Sequence, residues 1–218
     1  MGATATRRRT PATARPGAAG RRRLLRRRRG LLGVVLLVAT GVAVLALGAT
    51  GFFSHAVREI SLPLRHEDII RQQAAAKRLD PALVAGVIFA ESKFVDQTSP
   101  AGARGLMQIT PDTARYIAHR SGGTAFRLAD LGTPQVNIAY GTYYLHYLLT
   151  RYGGNEVLAV AAYNAGAGNV DRWLRDAATS GRAFRADEIP FPETRHYVAK
   201  VLHARDGYRR SYARELGL

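Results

Sequence analysis

Asp80-Pro81-Ala82-Leu83-Val84-Ala85-Gly86-Val87-Ile88-Phe89-Ala90-Glu91-Ser92 is the stretch that decides how this chain folds. The Asp80 carboxylate can accept from a first-turn N–H, and proline at the first helical position loses no intrahelical bond, so the pair marks a helix start. Leu83, Val84, Val87 and Ile88 then recur at the spacing of one helical face. Glu91 follows Val87 by four residues and Ile88 by three, so an acid stands where the pattern predicts core. Partial burial disfavours a carboxylate, and the negative end of the helix dipole adds to that. Both effects raise the pKa above its unperturbed value of about 4.3. A general acid working near neutral pH requires such a shift. The competing reading is a helix-end glutamate paired with a surface arginine.

Reading outward, the same start signature returns at Thr110-Pro111 and Thr133-Pro134, and at Asn155 after Gly153-Gly154. Thr194 can cap a later helix in which Tyr197, Val198, Val201 and Leu202 form one face. No run of strand-like alternation reaches a convincing length. The spacing therefore predicts a compact all-α domain over residues 66–218, built from six or seven short helices. Ser54 to Arg65 reads as a linker ending near Pro63.

Upstream the composition changes. Eleven of the 32 basic residues precede Gly30 in a stretch without a single acid. Without them the balance is 21 basic against 16 acidic, a net charge of +5 in place of +16. The basicity that would suggest a nucleic-acid binder is thus confined to one tail, and no nucleic-acid partner is expected. A mildly cationic remainder suits an anionic polymer. Residues 1–30 hold too few large apolar side chains to offset chain entropy and read as a disordered cytoplasmic tail. Leu31 to Phe53 is an uncharged run of 23 residues. As a helix it would span roughly 34 Å, enough for a bilayer core, and reads as a transmembrane signal-anchor. Arg26 to Arg29 lie just before it, so the positive-inside bias places the tail in the cytoplasm and the C-terminal domain outside the cytoplasmic membrane. The competing reading is a cleaved signal peptide, with small residues at Ala46 to Ala49 and a twin-arginine hint at Gly20 to Arg26. Both deliver the domain outside.

The absence of cysteine excludes disulfides, thiolate metal sites, a cysteine nucleophile and a lipidated N-terminal cysteine. The six histidines show no metal-ligand spacing, so no metal is expected. Other residues could line a groove near Glu91: Met107 and Gln108 follow the Ser, Pro and Gly-rich segment Ser99 to Gly105, and Tyr163-Asn164 stands where another helix stops. Amides donate and accept hydrogen bonds as N-acetyl groups and hydroxyls require, while aromatic faces cover the apolar faces of sugar rings. Singly, each has a plainer reading. Asn164 could be a helix C-cap, Met107 a gap-filler, and Tyr163 or Tyr197 a packed core tyrosine.

The ordered blocks Glu91-Ser92, Gly105-Leu106-Met107-Gln108, Ala162-Tyr163-Asn164 and Glu193-Thr194-Arg195-His196-Tyr197-Val198 resemble the catalytic domain of soluble lytic transglycosylases. Leu79 to Val84, Ser99 to Ala103 and Leu131 to Gly141, with Asn137 and Gly141 at the family's spacing, extend the resemblance over about His66 to Leu202. It implies a lysozyme-like α-helical fold, no cofactor, and a substrate of alternating N-acetylglucosamine and N-acetylmuramic acid, the glycan strands of peptidoglycan. It also implies Glu91 as the catalytic glutamate, supported by Ser92. Met107, Gln108, Tyr163 and Asn164 would line the sugar subsites, Tyr197 would stand close to the Glu91 carboxyl, and Glu193 would sit at the groove or brace it.

Most glycosidases use two carboxylates, but this chain supplies one compelling acid. Asp112 lies at a helix start, where a structural role suffices. A single acid fits a lytic transglycosylase, which closes the muramoyl C6 hydroxyl onto C1 to give a 1,6-anhydro sugar. The alternatives are a goose-type lysozyme that hydrolyses the same bond and a non-catalytic wall-binding protein. Cell-envelope machinery is a further partner that the sequence leaves open.

Overall fold

The computed structural model describes residues 37–41, 61–122 and 125–218. The Arg-rich tail, nearly all of the run from Leu31 to Phe53, and most of the expected linker lie outside these residues. Residues 37–41 are helical. Among the described residues no helix is long and apolar enough to cross a membrane. The chain divides at residue 55 into two units, and the second carries everything that follows.

This unit is all-helical, with isolated bridges at Thr98, Arg104 and Ile109 and no strand among the described residues. The helices are α1 (Glu67–Lys77), α2 (Pro81–Ser92), α3 (Pro111–Ser121), α4 (Pro134–Arg151), α5 (Glu156–Ala165), α6 (Ala167–Thr179), α7 (Pro192–Ser211) and α8 (Ala213–Leu216). Short 3₁₀ turns at Leu128–Gly132 and Ala186–Glu188 precede α4 and α7. Three expected caps are made: Asp80 accepts from Ala82 N at 2.9 Å, Thr110 from Thr113 N at 3.2 Å and Asn155 from Leu158 N at 3.1 Å. Thr133 precedes α4 without capping it, and its hydroxyl donates to the Asp130 carbonyl at 2.7 Å. Thr194 does not start a helix. Pro192 opens α7 behind Phe191, and Thr194 is buried one position past Glu193.

The first helix read from sequence is the centre of the domain. Every residue from Ala82 to Ile88 is buried, so α2 has no solvent face over that stretch. Full burial of a large apolar side chain contributes roughly 1.5–3 kcal/mol, which makes α2 a main source of stability. It packs directly along α7 because of Gly86. A Cβ there would meet the Val201 carbonyl oxygen at 2.8 Å and Arg205 N at 3.1 Å. Beyond Ser92 the chain turns back through two left-handed residues, Lys93 (φ 52°) and Phe94 (φ 64°). Phe94 is buried with its ring 6.0 Å from that of Tyr208 on α7. The last residues of the expected linker are not free either. Tyr208 donates to Pro63 O at 2.6 Å and Tyr212 to Leu62 O at 2.8 Å, while Leu62 and Leu64 pack on the core.

Candidate active site

Glu91 lies in the last turn of α2, at the point where burial gives way to partial exposure. α7 brings Tyr197 against it, and the phenol donates to Glu91 Oε1 at 2.6 Å. Burial pushes the Glu91 carboxyl from 4.5 up to about 7, against the smaller downward pulls of the Tyr197 hydrogen bond and the Lys200 charge. The carboxyl therefore exchanges its proton near neutrality, as a group that must both give and recover one requires. Tyr197 is held far above the ordinary phenol range by burial and then by the nearby Glu91 charge, so it stays a hydroxyl donor.

Lys200 is a site residue that the sequence reading missed. It lies three residues after Tyr197, one helical turn on, with its ammonium bonded to the Ala90 carbonyl at 2.7 Å and 5.7 Å from the centre of the Phe89 ring. Its spacing from Tyr197 was the available signal.

The segment Gly105 to Gln108 is fixed from behind. Ser92 Oγ lies 3.1 Å from Ile88 O and 2.7 Å from Leu106 O, tying the end of α2 to the loop. The buried Asn137 accepts from Met107 N at 2.8 Å and donates to Arg104 O at 2.9 Å and Leu131 O at 3.0 Å. Gly105 adopts φ +75°, and a Cβ there would fall 2.1 Å from Asn137 Nδ2. Gly141 leaves room for Met107, whose Sδ would lie 2.2 Å from a Cβ at that position.

These contacts locate the remaining expected residues. Met107, expected to line a sugar subsite, is fully buried and packs inward beside Gly141, so its side chain supports the loop from the core. Its carbonyl accepts from the Tyr163 hydroxyl at 2.9 Å. Ser92 is likewise buried. Gln108 is half-buried with φ 47°, and its amide donates to Gln97 O and Gly105 O at 3.0 and 2.8 Å. Asn164 is exposed, and its side-chain Oδ1 accepts from the Thr194 hydroxyl at 2.7 Å. Asn164, Ala165, Phe191, Pro192, Glu193 and Thr194 line an open cavity of about 460 Å³. Glu193 precedes Tyr197 by four residues on α7 and so shares its face. The site thus assembles Glu91 and Tyr197 in direct contact, Gln108 on the fixed loop with Tyr163 of α5 bonded to that loop, and Asn164 with Glu193 around a cavity. Among the described residues no group of three or more His, Asp or Glu side chains could hold a metal ion.

A Transglycosylase SLT domain matches residues 68–184. The soluble lytic murein transglycosylase of Salmonella typhimurium is 38% identical over 160 residues, covering 71% of this chain and 24% of that protein. A membrane-bound lytic murein transglycosylase C of Actinobacillus pleuropneumoniae is 33% identical over 163 residues, covering 64% of this chain and 44% of the relative. Among solved structures, the lytic transglycosylase Slt of Pseudomonas aeruginosa, crystallised as an inactive glutamate-to-glutamine mutant, superposes with TM-score 0.65 at 34% identity. It covers 72% of this chain and 26% of that one. The 70-kDa soluble lytic transglycosylase in complex with bulgecin A gives TM-score 0.65 at 34% identity over 70% of this chain and 25% of that one. The chain spans about a quarter of the length of the soluble relatives it matches.

Proposed function

The chain belongs to the transglycosylase SLT-domain family, and from that membership we propose that it is a peptidoglycan lytic transglycosylase with Glu91 as its single acid/base. The observation that carries the reading is the Glu91–Tyr197 pair: a half-buried carboxyl titrating near 7 with a phenol 2.6 Å away. Protonated Glu91 donates to the oxygen linking N-acetylmuramic acid to N-acetylglucosamine, and the muramoyl C1–O bond breaks. The substrate's N-acetyl oxygen stabilises the positive charge left at C1. Glu91, now a carboxylate steadied by the Tyr197 hydroxyl, takes the proton of the muramoyl C6 hydroxyl as that oxygen bonds to C1. No water is consumed, and Glu91 ends protonated for the next cycle. Gln108, Asn164, Glu193 and Tyr163 are the residues assigned in this reading to orient the N-acetyl and hydroxyl groups. Mass spectrometry of fragments released from purified peptidoglycan tests this. A 1,6-anhydro end is lighter by one water than a hydrolysed end, and hydrated products would replace this reading with that of a lysozyme.

The 23 uncharged residues from Leu31 to Phe53, preceded by Arg26 to Arg29, support a single-pass anchor with the catalytic domain on the wall side of the cytoplasmic membrane. Protease added to cells with an opened outer barrier should then digest residues 60–218 and spare the tail. The reverse pattern refutes this topology.

A further inference from the structure

Tyr163 connects the Glu91 region to a second feature, on the surface of α3 and α4. Its ring lies 5.5 Å from that of Tyr144, which lies 6.1 Å from Tyr147, and Tyr147 lies 5.8 Å from Tyr116. Tyr144, Tyr147 and Tyr116 line an open trough of about 330 Å³, completed by Asp112, Thr113 and Ala167. Arg120, in the last turn of α3, lays its guanidinium 5.6 Å from the centre of the Tyr116 ring and 5.2 Å from that of Tyr147, and donates to the Tyr116 hydroxyl at 3.3 Å. Such contacts orient the planar guanidinium while leaving donors of its fork available.

Charge pairing separates Arg120 from its neighbours. Arg115 is paired with Asp112 and Arg151 with Asp171, but among the described residues no carboxylate lies within ion-pair distance of Arg120. A cation held between two rings beside a tyrosine-lined trough has the chemistry to receive a sugar ring bearing a carboxylate. Aromatic faces meet the apolar face of the ring, and the fork meets the acid.

We propose that Tyr116, Tyr147 and Arg120 form a distal subsite for a carboxylate-bearing muramoyl residue of the glycan strand, reached from the Glu91 site along the Tyr163–Tyr144–Tyr147 ridge. The proposal rests on the peptidoglycan reading above. Two carboxylates have the required chemistry, the lactyl group of the muramoyl sugar and an acid of its stem peptide.

Equilibrium binding separates the proposal from the catalytic reading, because it is measured on the full chain carrying Glu91→Gln, where turnover does not enter. The probes are a neutral N-acetylglucosamine tetramer, glycan strands stripped of peptide, and strands with intact stems. Adding Arg120→Gln should weaken binding of acidic strands about tenfold, equivalent to about 1.4 kcal/mol, and leave the neutral tetramer within twofold. The melting temperature should not move, because Arg120 is exposed. Loss on stripped strands assigns the lactyl carboxylate, and loss confined to intact strands assigns the stem peptide. Arg120→Lys should recover only part of the affinity, since an ammonium lacks the planar fork. Unchanged affinity for both acidic probes, or an equal loss for the neutral tetramer, overturns the subsite. Absence of anhydro products from the unmutated chain would instead overturn the catalytic reading and leave these isotherms to stand alone.

Discussion

Glu91→Gln should stabilise the protein, and by an amount that depends on pH. The folded carboxyl titrates near 7 because burial disfavours its charge, whereas in the unfolded chain it titrates near 4.5. Between those values the folded state binds the proton that the unfolded state has released. Stability therefore falls as pH rises through this window, and the cost is complete above about 7. A separation of about 2.5 units at 1.36 kcal/mol each makes that cost about 3 kcal/mol. Glutamine has the shape of the protonated acid and carries no charge, and its carbonyl can still accept from Tyr197. The variant should match the parent near pH 4.5 and exceed it by about 3 kcal/mol at pH 8, while losing turnover at every pH. Urea unfolding of both proteins across pH 4.5 to 8 measures this. A constant difference over that range would refute burial as the cause of the shift, and with it the account of how Glu91 is poised.

Tyr197→Phe removes the donor on Glu91 Oε1, and one charge-assisted hydrogen bond is worth up to about 3 kcal/mol, so turnover should fall roughly 10- to 100-fold. The Tyr197 bond lowers the Glu91 pKa, so the alkaline limb of the rate profile should move to higher pH in this variant. An unchanged rate and profile would make Tyr197 a packing residue. Lys200→Met should also move that limb upward, because the Lys200 charge favours ionised Glu91, and about 1 M salt should erase the difference by screening this exposed cation. A shift that survives high salt points to a packing effect. Gly141→Ala forces a methyl against Met107 Sδ and should cost about 1–3 kcal/mol in thermal unfolding. Shortening Met107 in the same chain should return part of it, and no loss in the single variant would mean the loop can shift freely.

What was legible in the sequence was local chemistry. Asp80, Thr110 and Asn155 announced their helices because a cap needs only the next three residues. Glu91 was legible because it broke an apolar pattern. Thr194 misled for the opposite reason: a threonine near a helix start has the right chemistry for a cap, but its hydroxyl is taken by Asn164, 30 residues away. Met107 and Ser92 stand in the blocks that carry the resemblance, yet the structure gives both side chains to the interior. Adjacency in a motif does not say which member faces the groove. Gly86, Gly141 and Asn137 were unreadable as to role because each answers to a partner on another element. The whole of α2 from Ala82 to Ile88 is buried, where the spacing predicted one face, because α7 can lie against Gly86 only at backbone distance.

The left-handed reversal at Lys93 and Phe94 folds the end of α2 back onto the same helix that carries Tyr197. With Gly86 in backbone contact further up, the two helices bearing the acid and the phenol have no separate way to open. Amide hydrogens of α2 between Val84 and Ile88 should then exchange with deuterium only through global unfolding, among the slowest in the chain. Heat inactivation and melting should coincide as a single event, without the early loss of activity seen where a catalytic loop frays first.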